Sequence, residues 1–183
     1  MPETNKNVLF DINNILSKIG IDEKQQVAEL GCGNFGFFVW PLARLVGRQG
    51  KVYAVDILKP TLEEINKEAK KNNLSQIVTV WSNLEIFKAA DIETSSLDRA
   101  LLVNVLHQSD KKIEILREAI RLLKRGGKLL VIEWKNMDLP LGPPPDKRVK
   151  LESLKSATAK IGLSIAEEFE AGPYHYGLIL TKL

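Results

Sequence analysis

The chain has 183 residues, of which 27% are charged and 44% hydrophobic, and its formal net charge is +3. These values are typical of a single globular domain, which we expect to span residues 1–183, and the mild charge gives no strongly basic surface for nucleic acid. One cysteine, Cys32, and two histidines exclude a disulfide framework and a cysteine metal cluster, and offer no obvious imidazole metal site. No window approaches the roughly 20 apolar residues of a membrane span, and the polar start lacks a signal-peptide core, so we expect a cytoplasmic protein.

The first predicted element is a lead-in helix within residues 1–20. Apolar residues recur at helical spacing from Val8 through Leu9 and Ile12 to Ile19, and Gly20 suits a C-cap. Such a helix either covers one edge of a ligand pocket or packs on the domain without touching a ligand. The sequence favours neither reading.

A glycine loop follows the first predicted strand, residues 27–30. Glycines at positions 31, 33 and 36 let the backbone turn sharply and approach a ligand closely. The apolar pattern from Phe37 to Val46 predicts a helix whose free N–H groups and positive dipole end point back at the loop. Several nucleotide cofactors use such a turn, so the loop alone predicts only a nucleotide-type pocket.

Two acids flank this unit. Asp56 ends the second predicted strand, residues 51–56, and lies twenty residues beyond Gly36. An acid at that point of a βαβ unit accepts hydrogen bonds from both hydroxyls of a ribose. Glu29 comes just before the glycine loop and suits a cationic ligand, because a carboxylate there would repel the phosphates of a dinucleotide.

Strands and helices continue to alternate beyond Asp56. Thr61 and Glu64 predict a capping box at the start of the next helix, and Asp110 predicts the N-cap of the one after it, which Gly126 and Gly127 end. Further strands are predicted at residues 77–81, 97–105 and 128–133. Their apolar runs do not alternate with polar residues, which indicates a mostly parallel sheet covered on both faces.

The chain closes with a proline-rich loop, residues 136–146, a helix from Val149 to Gly162, and two strands at 164–169 and 176–180. The four residues 170–173 are too few for a parallel crossover, so the last two strands should be antiparallel.

Polar residues of this region have two readings each. We interpret Arg148 as a surface charge, the alternative being a contact to an anionic substrate. Tyr174, His175 and Tyr176 are interpreted as packing residues, the alternative being the lining of a substrate mouth.

Four segments together resemble the class I S-adenosylmethionine-dependent methyltransferases, and most closely the small single-domain ubiquinone/menaquinone-biosynthesis-type group. They are residues 29–36, similar to the acidic-x-Gly-x-Gly-x-x-Gly signature, and residues 52–57, 98–107 and 123–131. The resemblance covers nearly the whole chain. It implies an α/β, Rossmann-like three-layer sandwich with a seven-stranded, mostly parallel sheet and an antiparallel last strand.

The resemblance also implies a cofactor, S-adenosyl-L-methionine, with S-adenosyl-L-homocysteine as product. Asp56 would hold the ribose hydroxyls and Ile57 would pack on the adenine. Many relatives have an aspartate near Ser82 or Asn83, which this chain lacks. The implied cofactor-binding residues are Glu29, Gly31, Cys32, Gly33, Asn34, Asp56, Ile57, Ser82, Asn83, Leu84 and Asn104.

His107, at the end of the fourth predicted strand, is the candidate catalytic residue, either as a general base or as a hydrogen-bonded wall residue. Residues 104–107 lack the Asn/Asp-Pro-Pro-Tyr/Phe arrangement expected of enzymes that methylate exocyclic or amide nitrogens. No cysteine lies where RNA cytosine-C5 enzymes keep their nucleophiles. These features favour a small-molecule acceptor, with RNA or protein methylation as the alternative.

Two other classes of protein remain open at this point. An NAD-dependent oxidoreductase would share the glycine loop and Asp56, but it accounts for neither Glu29 nor the closing hairpin. A non-catalytic cofactor-binding module would keep the pocket and lack an acceptor site. The short insert before the last helix also allows a homodimer in which the second subunit supplies a lid. No metal, nucleic acid or membrane partner is expected.

Overall fold

The computed structural model describes residues 11–138 and 141–183, so Val8 and Leu9 of the predicted lead-in helix lie outside the described residues. The strands are β1 (Gln26–Leu30), β2 (Lys51–Asp56), β3 (Ile77–Trp81), β4 (Leu97–Val103), β5 (Leu123–Trp134), β6 (Leu163–Glu170) and β7 (His175–Lys182). The helices are α1 (Ile12–Ile19), α2 (Val39–Val46), α3 (Lys59–Lys71), α4 (Lys112–Leu122) and α5 (Leu151–Lys160), with a 3₁₀ turn at Leu106–Gln108.

All seven strands form one sheet in the order β3-β2-β1-β4-β5-β7-β6. The pairs among β1 to β5 are parallel, whereas β7 is antiparallel to both β5 and β6, which confirms the predicted closing hairpin. The carboxyl ends of β1 to β5 therefore meet at one edge of the sheet, which we call the carboxyl edge. The chain reverses its direction of strand addition between β1 and β4, where open α/β sheets bind ligands.

Helices cover both faces of the sheet because its central strands are apolar on both sides. Ala28 and Leu30 of β1 pack in a core shared with α4 and α5. Val27, on the opposite face of the same strand, packs in a core shared with α1, α2 and α3. The predicted three-layer α/β sandwich is confirmed.

Two helix starts differ from prediction, whereas Gly20 does cap α1 in the left-handed conformation. The capping box is wrong: α3 begins at Lys59 without a side-chain cap, and the Thr61 hydroxyl instead donates to Asn34 Oδ1 at 2.9 Å. Thr61 thus ties α3 to the glycine loop.

The predicted boundaries of α4 are also wrong. The helix begins at Lys112 with no side-chain cap, so Asp110 is not its N-cap. It ends at Leu122 rather than at the glycine pair, and Gly126 and its neighbour lie inside β5. The pairing of β4 with β5 is irregular there, which explains why two glycines are accommodated within a strand.

A buried ion pair fixes the long connection between β3 and β4. Glu118 is fully buried and accepts hydrogen bonds from Arg121 at 2.7 and 2.9 Å. Glu118 also accepts from the N–H groups of Lys88 and Ala90, while Arg121 donates to the carbonyls of Ala90 and Ile92. Burial raises the pKa of the Glu118 carboxyl, but Arg121 and the two N–H groups together lower it below its ordinary value.

Replacing Arg121 with alanine is expected to cost about 3–5 kcal/mol of unfolding free energy, because it leaves the Glu118 charge buried without its partner. Urea denaturation measures the loss. Arg117→Ala is the matched control, since Arg117 forms an exposed i,i+3 pair with Glu114 at 2.8 Å and should change stability by less than about 1 kcal/mol. Equal, small effects of the two substitutions would contradict this account of the buried pair.

None of the described helices combines the length and the apolar character needed to cross a membrane.

Candidate active site

The glycine loop after β1 lies at the carboxyl edge. Gly31, Gly33 and Gly36 have φ values of 81°, 61° and 52°, a region that residues with side chains rarely adopt. A Cβ on Gly31 would lie 2.7 Å from Val105 Cγ2, beyond the end of β4. The Gly31 N–H donates to the carbonyl of Val55 at 2.8 Å. The loop is therefore packed tightly between the ends of β2 and β4.

Asp56 connects the end of β2 to this loop. Its Oδ2 accepts the N–H of Gly33 at 2.9 Å, and its Oδ1 accepts the N–H of Leu58 at 2.9 Å. Each carboxylate oxygen can accept more than one hydrogen bond. The structure thus holds the carboxylate firmly at the carboxyl edge, and its contact with a ribose stays a prediction.

Glu29 lies beneath the loop, 4% exposed, and accepts the N–H groups of Val39 and Phe38. Burial raises the pKa of its carboxyl to about 8 in spite of these two bonds, and the nearby Asp56 charge adds to the rise. The start of α2, which was predicted to direct its free N–H groups at a ligand, therefore donates to Glu29. Phe37, predicted to lie on this helix, precedes it and is 59% exposed.

Three further residues of these loops were predicted to bind the cofactor, and each lies in a different environment. The Asn34 side chain accepts the hydrogen bond from Thr61. Ile57 is 51% exposed, and its carbonyl accepts the indole N–H of Trp81 at 2.8 Å. Cys32 is buried in the core, and burial raises the pKa of its thiol. A protonated, buried thiol fits the interpretation of Cys32 as a small packing residue.

The turn after β3 brings a buried hydroxyl to the same edge. Ser82 is 1% exposed, and its N–H donates to the carbonyl of Asp56 at 2.9 Å. Asn83 Oδ1 accepts the N–H of Glu85 at 3.0 Å. The Leu84 side chain packs in the core with α4, so any contact of Leu84 with a cofactor would fall to its backbone.

Asn104 directly follows β4, which ends at Val103 rather than at residue 105 as predicted, and it has a left-handed backbone conformation. Its φ is 56°, a value that is uncommon for residues other than glycine. Residues in such conformations cluster at functional sites. Its N–H donates to the carbonyl of Ile132, and its carbonyl accepts from Gln108 Nε2 at 2.6 Å. These bonds hold the residue with its side-chain oxygen buried.

His107 forms a pair with Glu133, which the sequence indicates only as the last residue of a predicted strand. His107 Nδ1 lies 2.9 Å from Glu133 Oε2, and the Glu133 side chain is fully buried. Glu133 Oε1 accepts the backbone N–H groups of Leu106 and His107 at 2.6 and 3.3 Å. The sequence feature that could have indicated Glu133 is its position as an acid at the end of an otherwise apolar strand. The chain gives no indication that its partner lies 26 residues earlier.

His175 and Tyr176 lie close to this pair and are buried packing residues, as predicted. The His175 ring centroid lies 4.1 Å from that of Trp134. Burial lowers the pKa of His175 to about 4, and the charges of His107 and Lys135 act in the same direction. His175 is therefore neutral at pH 7.

The interpretation of Arg148 as a surface charge is wrong. Arg148 is 6% exposed and donates to the carbonyls of Pro143, Leu141 and Met137 in the proline-rich loop. The backbone of this loop offers carbonyls that its prolines leave without N–H partners. Arg148 thus holds the loop and is not available to an anionic substrate in this arrangement.

Three buried polar atoms at the carboxyl edge have no hydrogen-bond partner among the described residues: Glu29 Oε2, Ser82 Oγ and Asn104 Oδ1. Such atoms are uncommon in folded proteins unless a ligand or water completes them. They come from β1, from the turn after β3 and from the end of β4, around the glycine loop. A ligand with ammonium, hydroxyl and amine donors would satisfy them, and S-adenosylmethionine has all three.

Comparison with known proteins decides the family. A family model for the methyltransferase domain matches residues 21–170. The chain belongs to the class I S-adenosylmethionine-dependent methyltransferases. The predicted cofactor and family are thereby confirmed.

Individual relatives of this chain extend the comparison. A ubiquinone/menaquinone biosynthesis C-methyltransferase from Rhizobium etli is 31% identical over 145 residues, which are 79% of this chain and 53% of the relative. The chain thus spans about half the length of that curated relative.

Solved structures share its fold. An S-adenosylmethionine-dependent methyltransferase from Aquifex aeolicus has a TM-score of 0.86 at 24% identity, over 96% of this chain and 91% of that one. An O-methyltransferase (NcsB1) from neocarzinostatin biosynthesis, solved with S-adenosyl-L-homocysteine and 1,4-dihydroxy-2-naphthoic acid, has a TM-score of 0.74 at 21% identity, over 94% and 54% of the two chains.

Proposed function

We propose that this chain transfers the methyl group of S-adenosylmethionine to a small-molecule acceptor that carries an ionisable hydroxyl, with His107 as general base. The observation that carries the proposal is the His107–Glu133 pair, with 2.9 Å between Nδ1 and Oε2. The hydroxyl either accepts the methyl group itself or activates a ring carbon that does.

Glu133 sets the state of the imidazole. A carboxylate accepts hydrogen bonds and cannot donate them, so Nδ1 carries the proton and Nε2 is left with the lone pair. The backbone N–H groups of Leu106 and His107 hold the carboxylate in place. When Nε2 takes a proton from the acceptor, the adjacent carboxylate stabilises the imidazolium that forms.

Bound S-adenosylmethionine supplies a methyl group on a sulfonium that needs no further activation. In methyl transfer the acceptor oxygen or carbon would take the methyl group, the sulfur would leave as the thioether of S-adenosylhomocysteine, and His107 would accept the acceptor proton and pass it to solvent. The residues proposed to hold the cofactor are those of the glycine loop with Glu29 and Asn34, then Asp56 and Ile57, the turn of Ser82, and Asn104.

The acceptor class rests on the relatives as well as on the base. The Rhizobium etli relative is a C-methyltransferase of quinone biosynthesis, and NcsB1 was solved with a dihydroxynaphthoic acid. We therefore favour a hydroxylated aromatic acceptor over RNA or protein. A base of this kind is not needed for an amine that is already uncharged, so the pair also argues against simple N-methylation.

A paired-substrate assay tests the proposal. The protein is incubated with S-adenosylmethionine and either a hydroxylated aromatic acid, such as 1,4-dihydroxy-2-naphthoic acid, or its analogue without hydroxyl groups, and S-adenosylhomocysteine is measured by mass spectrometry. We expect product above background only with hydroxylated compounds. Turnover of amines or thiols in the same panel, with none of hydroxylated aromatics, would refute the acceptor class.

A further inference from the structure

The Glu29 carboxylate is buried beneath the glycine loop, and no described residue supplies a counter-charge to it. Its side chain is 4% exposed, and among the described residues it takes part in no ion pair. Its Oε2 is buried and has no hydrogen-bond partner among those residues. The acid therefore lies where an ionised carboxylate is costly unless a cation arrives.

The groups that face Glu29 reinforce this. Asp56 of β2 contributes a second carboxylate, and Cys32 of the glycine loop contributes a thiol. Phe38, directly before α2, and Val39, its first residue, contribute backbone N–H groups. The two N–H groups favour the ionised form of Glu29, whereas burial and the charge of Asp56 disfavour it. The second pair of effects is larger, so the pKa is raised. Among the described residues, the groups that shift the pKa of Glu29 include no lysine, arginine or histidine.

We propose that Glu29 keeps its proton in the free protein and releases it when the cationic cofactor binds, so that the site recognises positive charge through a proton exchange. The inference rests on the proposed place of Glu29 at the cofactor. A positive ligand near the loop supplies the counter-charge that the described residues do not provide, and the ionised carboxylate then becomes the favoured form.

The direction of the pH dependence follows from linkage. Burial raises the pKa of Glu29 to about 8, so the free protein holds this proton at pH 7. Because binding then releases a proton, the affinity for S-adenosylmethionine should rise with pH below about 8.

Calorimetric titration in several buffers of different ionisation enthalpy counts the protons released. At pH 7 we expect S-adenosylmethionine to release close to one proton more from the wild type than from Glu29→Gln, which has no proton to lose at this position. Glu63→Gln, which removes an exposed acid on α3, is the matched control and should release as many protons as the wild type.

Equal proton counts for the wild type and Glu29→Gln, with both still binding, would overturn the inference. Absence of binding heat in every variant would instead contradict the cofactor assignment, so the two failures are distinguishable. If Glu29→Gln does not fold, the wild-type dissociation constant decides: it should tighten by close to tenfold from pH 6 to pH 7, and a flat profile would overturn the inference.

Discussion

His107→Ala is expected to lower kcat by about 10²–10⁴-fold, the usual contribution of a positioned general base. The wild-type rate should fall toward acid pH, because a protonated imidazole cannot accept the acceptor's proton. The variant should lack that acid limb, while its affinity for S-adenosylmethionine stays near that of the wild type. Single-turnover rates between pH 5 and 9 with a hydroxylated acceptor measure both effects.

Two matched variants separate chemistry from packing. His107→Gln keeps a side-chain hydrogen-bond donor toward Glu133 but cannot act as a base, so it should be as slow as His107→Ala. Glu133→Gln presents an amide to Nδ1 and favours the other tautomer, so it should lower kcat with little change in KM. An unchanged kcat for His107→Ala across the pH range would remove the base from the mechanism.

Asp56→Ala is expected to weaken S-adenosylmethionine binding by about 10- to 150-fold, the equivalent of the 1.5–3 kcal/mol typical of a hydrogen bond to a charged group. The substitution removes the acceptor for the N–H groups of Gly33 and Leu58, so the glycine loop keeps its backbone bond to Val55 but loses its side-chain tie to β2. Its effect thus combines a lost ligand contact with a loosened loop. Titration calorimetry gives the dissociation constant.

Asp56→Asn is the control for the charge. Its amide oxygen can still accept one of the two N–H groups, so binding should weaken less than in Asp56→Ala. Thermal unfolding of both variants shows how much of the loss comes from the fold. A native-like dissociation constant in Asp56→Ala would contradict the role of Asp56 at the cofactor.

The sequence predicted the sheet well because its strands are short apolar runs that end in recognisable residues. β2 ends at Asp56 and β3 at Trp81, as expected, and both are bounded by turns. Helix starts were predicted less well. Thr61 and Asp110 are residue types that often cap helices. The Thr61 hydroxyl, however, donates to Asn34 Oδ1 in the glycine loop.

The site was predictable where it depends on local backbone. Positive φ values at Gly31 and Gly33 follow from residue type, and the acid after β2 follows from spacing. Contacts between distant segments were not predictable in this way. Glu133 meets His107 only because β5 lies beside β4 in the sheet, and no local pattern records that pairing.

The burial of charged side chains was also not predictable from the sequence, because it too depends on contacts that form only in the folded chain. Residue type alone predicts a surface position for Arg148, since arginine is seldom fully buried unless it is paired. Its partners are carbonyls of a proline-rich loop, which become available only once that loop folds over the side chain.

Calorimetric titration of the wild-type protein with S-adenosylmethionine, S-adenosylhomocysteine and NAD tests the central claim most directly. The three ligands share an adenosine, so the comparison isolates the part of the ligand that Glu29, Asn104 and the glycine loop would recognise. We predict saturable 1:1 binding of the first two ligands and no measurable binding of NAD. Preference for NAD, or no binding of S-adenosylmethionine by the folded protein, would contradict the account.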